Sequence, residues 1–187
     1  MAFGGWVFRA RIETRNTAMR YERWWGHMAE RGFAVAAFRE GPQWRVEPLP
    51  PTVLGDLGVL LSALRSQPPE GGPFVVAFVE DEFFVIARQD GRRISLLLSD
   101  LTAAVEFPLA EQAMTSLGED PPADDELDEV WPVGDLELFS DLNLGEDEME
   151  DILDDLDLIP EEMLETIMER LELTDAYSRA TEAAWVR

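Results

Sequence analysis

The 187-residue sequence predicts an α+β fold: an antiparallel sheet of about five strands, laid out as a hairpin, a helix and a three-strand meander, followed by an acidic all-helical C-terminal region. Three observations carry this expectation. Short apolar runs rich in β-branched and aromatic residues, separated by turn residues, crowd the stretch from Phe33 to Ser99. A single run with helical spacing (Leu54, Leu57, Leu60, Leu61 and Leu64) interrupts them. Beyond Ser99 the apolar period turns helical and charge turns negative: residues 100–175 hold 27 acids against Arg170 alone, whereas residues 1–45 hold eight Arg against four acids.

The elements follow in order. The first 27 residues carry three Trp and five Arg without an apolar period, and lack the apolar stretch of about 7–15 residues that marks a secretory signal. Two readings follow: translation begins at Met28, or the leader is an Arg/Trp arm that touches RNA or folds back on the acidic half. Phe33–Arg39 and Gln43–Glu47 flank a turn at Glu40-Gly41-Pro42 and read as a hairpin that Pro48, Pro50 and Pro51 end. Thr52 then caps a helix running to about Ser66. After the connector Pro68-Pro69-Glu70-Gly71-Gly72 come the strands Phe74–Val79, Phe83–Arg88 and Arg92–Ser99. The first two are apolar on both faces, which makes them central, with helices covering one side.

Asp100 caps a turn, and Pro108 opens a helix ending near Gly118. An acidic loop over 119–129 follows, then a short helix over Leu136–Leu142 capped by Asp135. Two amphipathic helices come next, one with the stripe Met149, Ile152, Leu153 and Leu156, the other starting at Pro160 with Met163, Leu164, Ile167, Met168 and Leu171. The last helix spans about Asp175 to Ala183. In domain terms, 1–27 is a leader, 28–118 an α+β core domain, 119–135 an acidic linker, and 136–187 an acidic helical region packed on the core.

Composition narrows function. With no Cys there is no disulfide framework, thiol catalysis or thiolate metal site, and a single His leaves little for a His-rich centre or a triad. There is no Lys, so no Walker lysine, and neither G-x-G-x-x-G nor G-x-S-x-G occurs. The stretch Asp141-Leu-Asn143-Leu-Gly145-Glu146 superficially resembles a calcium loop, but Glu146 and Ile152 stand where that loop needs Gly and Glu. No catalytic, cofactor or metal residues are expected. No apolar run of about 18 residues exists to span a membrane, and a cytoplasmic protein is expected. A net charge of −24 repels phosphate and attracts basic proteins, so the core is not expected to bind nucleic acid directly.

Two acidic features suit docking to a basic partner. One is the loop with Asp120, Asp124, Asp125, Glu126, Asp128 and Glu129, ending in Trp131. If Trp131 is exposed it is an interface anchor; if it tucks into the core, the loop is a spacer. The other is the helical region, represented by Glu148, Asp151 and Asp155, whose carboxylates either solvate the domain or imitate a phosphate backbone.

The segments FVVAFVEDEFFVIAR, ISLLLSDLTAA, DELDEVWPVGDLELFSDLNL and DILDDLDLIPEEMLETIMERL together resemble the tRNA adenosine deaminase-associated proteins of actinobacteria, over about Phe33 to Leu171. The Arg-only basic complement agrees with a GC-rich source. The resemblance implies an accessory role beside a tRNA adenosine deaminase and carries no catalytic residues. Deaminase chemistry itself needs zinc-binding Cys, which this chain lacks. The expectation is therefore a non-enzymatic accessory protein that binds a basic partner, the deaminase being the named candidate. The alternatives are an enzyme with a carboxylate pocket between sheet and C-terminal helices, dependent on a small molecule or a metal, and an acidic nucleic-acid mimic.

Overall fold

The computed structural model describes residues 32–123, 127 and 130–185. The leader of residues 1–27 and the site candidates Asp124, Asp125, Glu126, Asp128 and Glu129 lie outside the described residues.

Strands β1 (Gly32–Glu40) and β2 (Gln43–Pro48) form the expected hairpin. The helix expected from Thr52 to Ser66 is divided: a 3-10 turn over Pro51–Gly55 precedes α1 (Leu57–Arg65). Asp56, extended at φ −145°, breaks the spiral between them. Its carboxylate, rather than the Thr52 hydroxyl, caps α1 by accepting from the Val59 N–H at 3.1 Å. Strands β3 (Phe74–Val79), β4 (Phe83–Asp90) and β5 (Arg93–Leu98) make the meander, each within two residues of its expected bounds. Asp100 caps a 3-10 turn over Leu101–Val105, and α2 (Pro108–Leu117) ends at Gly118 in the left-handed conformation.

A sixth strand, β6 (Val133–Gly134), was not expected, being only two residues long; it pairs with Leu97 and Leu98. Gly134 sits at φ +119°, and a Cβ there would lie 2.2 Å from the Leu96 carbonyl, so this close approach demands glycine. The helix expected over Leu136–Leu142 is only turns and a 3-10 segment at Ser140–Leu142. The Asp135 carboxylate is shared between the Glu137 N–H, the Ser95 hydroxyl and Arg93, and so ties the chain to β5 rather than starting a helix. Helices α3 (Glu146–Leu153), α4 (Pro160–Arg170) and α5 (Thr174–Trp185) complete the chain.

The sheet order is β2-β1-β3-β4-β5-β6, antiparallel throughout. Strand alternation sorts its two faces by size. One face presents Ala34, Ala36, Ala77 and Ala87 with Val75, Val85 and Leu96, and packs on α1 and α2 through Leu57, Leu60, Leu64, Leu109 and Ala113. The other presents Phe33, Phe74, Phe78 and Phe84 with Val35, Val76, Ile86 and Leu97, and is covered by Phe139 and by α3, α4 and α5. The molecule is thus three-layered, with helices on both sides of the sheet rather than one. The reason is physical: every residue of β3 is buried, and a strand apolar on two faces needs two covers. At the β2 edge, Gln43, Arg45 and Glu47 are exposed.

Candidate partner-binding surface

Helices α3 and α4 owe their orientation to their apolar stripes. Met149, Ile152 and Leu153 of α3, and Met163, Leu164, Ile167 and Met168 of α4, are buried in the second core. Most of the remaining positions are carboxylates, and Glu146, Asp147, Glu150, Asp151, Glu162, Glu165 and Glu169 are all exposed. Several stand in the first turn of their helix, where the macrodipole favours negative charge: Glu146, Asp147 and Glu148 on α3, Glu161 and Glu162 on α4. One cation, Arg170, answers them, bridging to Glu148 at 2.9 Å and so joining α4 to α3. Glu161 feels the crowding most. Partial burial first, and then Asp81, Glu165 and Glu162, push its carboxyl above the ordinary range.

The structure does not bring the described site candidates together. Asp151 and Asp155 lie exposed on the α3 side, the latter in the turn after the helix, where its Oδ1 accepts from the Asp157 N–H at 3.0 Å. Glu148 is half-buried and engaged by Arg170. Trp131 belongs to the opposite layer: it is half-buried against the core under α1 and α2, and its carbonyl accepts from the Leu101 N–H at 3.0 Å. The aromatic is committed to packing, and Asp120 is exposed just after α2.

Leu156 departs most from its expected place. Its spacing, three after Leu153, places it on the apolar stripe, but α3 stops at Leu153 and Leu156 is 88% exposed in the α3–α4 turn. Ile159, the residue before α4, is 51% exposed.

A second feature escaped the sequence reading. Arg88 stands at an inward position of β4, in line with Phe84 and Ile86, and is 5% exposed. Its guanidinium is held by both oxygens of Asp141, by the Leu138 carbonyl at 2.5 Å and by the Gly72 carbonyl at 3.2 Å, with its Cζ 5.4 Å from the Phe139 ring centroid. Gly72 is at φ +69°, and a Cβ there would meet Nη2 at 2.4 Å, so the glycine makes room for the arginine. The signal was present: an Arg in phase with buried aromatics demands a buried acceptor. Arg88, Leu138 and Asp141 edge a cleft of about 320 Å³ with Asp90, Arg93, Ser95, Asp135 and Glu137. The Arg88 hydrogen bonds hold the Asp141 carboxyl below its ordinary range, and Asp135 is paired with Arg93 at 3.1 Å. Among the described residues, no group of three or more metal-ligating side chains is gathered, and no helix is long and apolar enough to cross a membrane.

Comparison with known proteins adds the remaining observation. A family model described as Rv3753c-like tRNA adenosine deaminase-associated protein matches residues 32–174. The chain is 38% identical over 148 residues to Protein Rv3753c of Mycobacterium tuberculosis (strain ATCC 25618 / H37Rv), across 79% of this chain and 86% of that protein. No solved structure matches.

Proposed function

The chain belongs to the Rv3753c-like tRNA adenosine deaminase-associated protein family, and from that premise we propose that it is a cytoplasmic, non-enzymatic accessory protein that binds a basic protein partner, a tRNA adenosine deaminase, through its acidic surface. The observation that carries the reading is the solvent face of α3 and α4, a field of carboxylates with Arg170 as its one cation. An enzyme that handles tRNA must present cations to phosphate, and an acidic surface is drawn to those same cations. The attraction is long-ranged and screened by salt. The Asp141 carboxylate at Arg88, held below its ordinary range, favours binding over acid–base chemistry, which needs a group whose pKa is raised toward neutrality.

Analytical gel filtration of the full chain with the deaminase from the same organism tests this. Co-elution at low salt that weakens at moderate salt is the expected result. Separate elution at both salts, with the deaminase itself active, refutes the partnership. Displacement of tRNA from the complex would identify the acidic face as a phosphate mimic; retention of tRNA would place the dock elsewhere on the enzyme.

A further inference from the structure

We propose that the turn between α3 and α4 is the apolar anchor of this docking surface, and that its occupant is a basic amphipathic segment of a protein, which sets an apolar side chain over Leu156 and Ile159 and cationic side chains against the flanking carboxylates. This rests on the accessory-protein reading and names the part of the surface that does the binding.

The turn is built to hold its two apolar residues outward. The Asp155 side chain accepts from the Asp157 N–H at 3.0 Å and closes a small loop around Leu156. Glu162 accepts from the Ile159 N–H at 3.2 Å and fixes the entry to α4. Between them Leu158 is half-buried and packs on the second core, so it pins the turn while its neighbours face water. Leu156 and Ile159 are thus both exposed, three residues apart in one turn, among the exposed carboxylates Asp154, Asp155, Asp157 and Glu162. Isolated exposed apolar residues need no explanation, but two on one hydrogen-bonded turn offer a partner apolar surface.

Charge selects what covers the patch. Glu161 and Glu165, one helical turn apart just beyond Ile159, form no ion pair with a described residue. Burial first, and then these two carboxylates, act against ionisation of Tyr177, whose hydroxyl has no hydrogen-bond partner among the described residues. The acidic face of a second copy of this chain, a nucleic acid or an anionic bilayer would bring like charge to the same place. A cationic segment supplies the opposite charge, and its apolar residue removes Leu156 from water.

The test measures affinities of the full chain for three probes: the deaminase, and two synthetic helical peptides of equal positive charge, one pairing Lys with Leu, the other Lys with Ser. The chain is expected to prefer the Lys/Leu peptide by about tenfold, the worth of burying one leucine. The double variant Leu156→Ser/Ile159→Ser should erase that preference and leave Lys/Ser binding unchanged. Glu161→Gln/Glu165→Gln should weaken both peptides alike. Equal affinity of the native chain for the two peptides overturns the proposal, as does deaminase binding that the Ser variant leaves intact. Peptide preference without deaminase binding keeps the anchor and refutes the deaminase as partner. The altered apolar side chains face water, so unchanged circular dichroism and thermal melts are expected of the Ser variant and confirm that it is folded.

Discussion

The guanidinium of Arg88, buried in the second face of the sheet, is gripped at both terminal nitrogens by Asp141, 53 residues later, whose own side chain is 66% exposed. The pair is lopsided: one charge lies in the protein and its partner stands in water. It joins β4 to the segment that leads into α3, and so fastens the C-terminal layer to the sheet.

That lopsidedness predicts unequal mutants. Asp141→Ala leaves a buried guanidinium with carbonyl partners only and is expected to cost about 1–3 kcal/mol. Adding Arg88→Met removes the stranded charge, and the double variant should regain part of the loss. Urea denaturation of the two singles and the double closes the cycle; strict additivity would mean that the pair is not coupled.

The same pair sets a pH dependence. Hydrogen bonding to Arg88 lowers the folded pKa of Asp141, so the stabilisation it gives is present above the unfolded carboxylate pKa of about 3.9 and is lost as pH falls through the folded value. The stability difference between the native chain and Asp141→Asn is expected to be full at pH 7 and to close as the solution is taken into the range below about 4.

Glu161 has the opposite sign. Its folded pKa is raised, chiefly by burial, so its ionised form costs stability at neutral pH and protonation relieves that cost. Glu161→Gln should stabilise the fold at pH 7 by a small amount, about 0.5 kcal/mol or less, read as a small rise in the thermal midpoint. The gain should shrink as pH falls through the carboxylate range, and shrink also with added salt.

Asp100 is both buried and a cap, and the two roles separate by substitution. Burial raises its pKa against the hydrogen bonds from Thr102 and Trp131, while its Oδ1 accepts from the Thr102 N–H at 2.8 Å. Asp100→Asn keeps an acceptor and sheds the charge, and is expected to change stability little. Asp100→Ala loses the cap and should cost about 1 kcal/mol.

Leu60 and Leu164 are wholly buried on opposite sides of the sheet. Leu60→Ala and Leu164→Ala should each cost about 2–5 kcal/mol and leave a single unfolding transition. A separate early transition in Leu164→Ala, with the sheet intact, would mean that the acidic helical region is a lobe of its own.

The strands and the inner faces of the helices were legible because both are periodic: β3 was read to the residue, and Met163, Leu164, Ile167 and Met168 are buried as their spacing demands. The failures share a cause. Leu156 continues the spacing of α3, but spacing cannot say where a helix stops. Asp135 resembles a cap, yet it is claimed by Ser95 and Arg93, which are 40 and 42 residues away in sequence. Arg88 and Asp141, too, are joined only through tertiary contact. What the surface docks against was legible only as charge, since net charge speaks to partners and not to which residues touch them.

The two ends of the sheet close it against growth. A sheet this apolar at its centre is a template for stacking if a long edge is left bare. On one side β2 alternates Gln43, Arg45 and Glu47 outward, so an approaching strand would have to strip water from charges. On the other, two residues of β6 occupy β5 at Leu97 and Leu98, its most apolar end, and the part left beyond them carries Arg93 and Ser95. Val133 and Gly134, too short to read as a strand, thus act as a stopper against fibrous assembly.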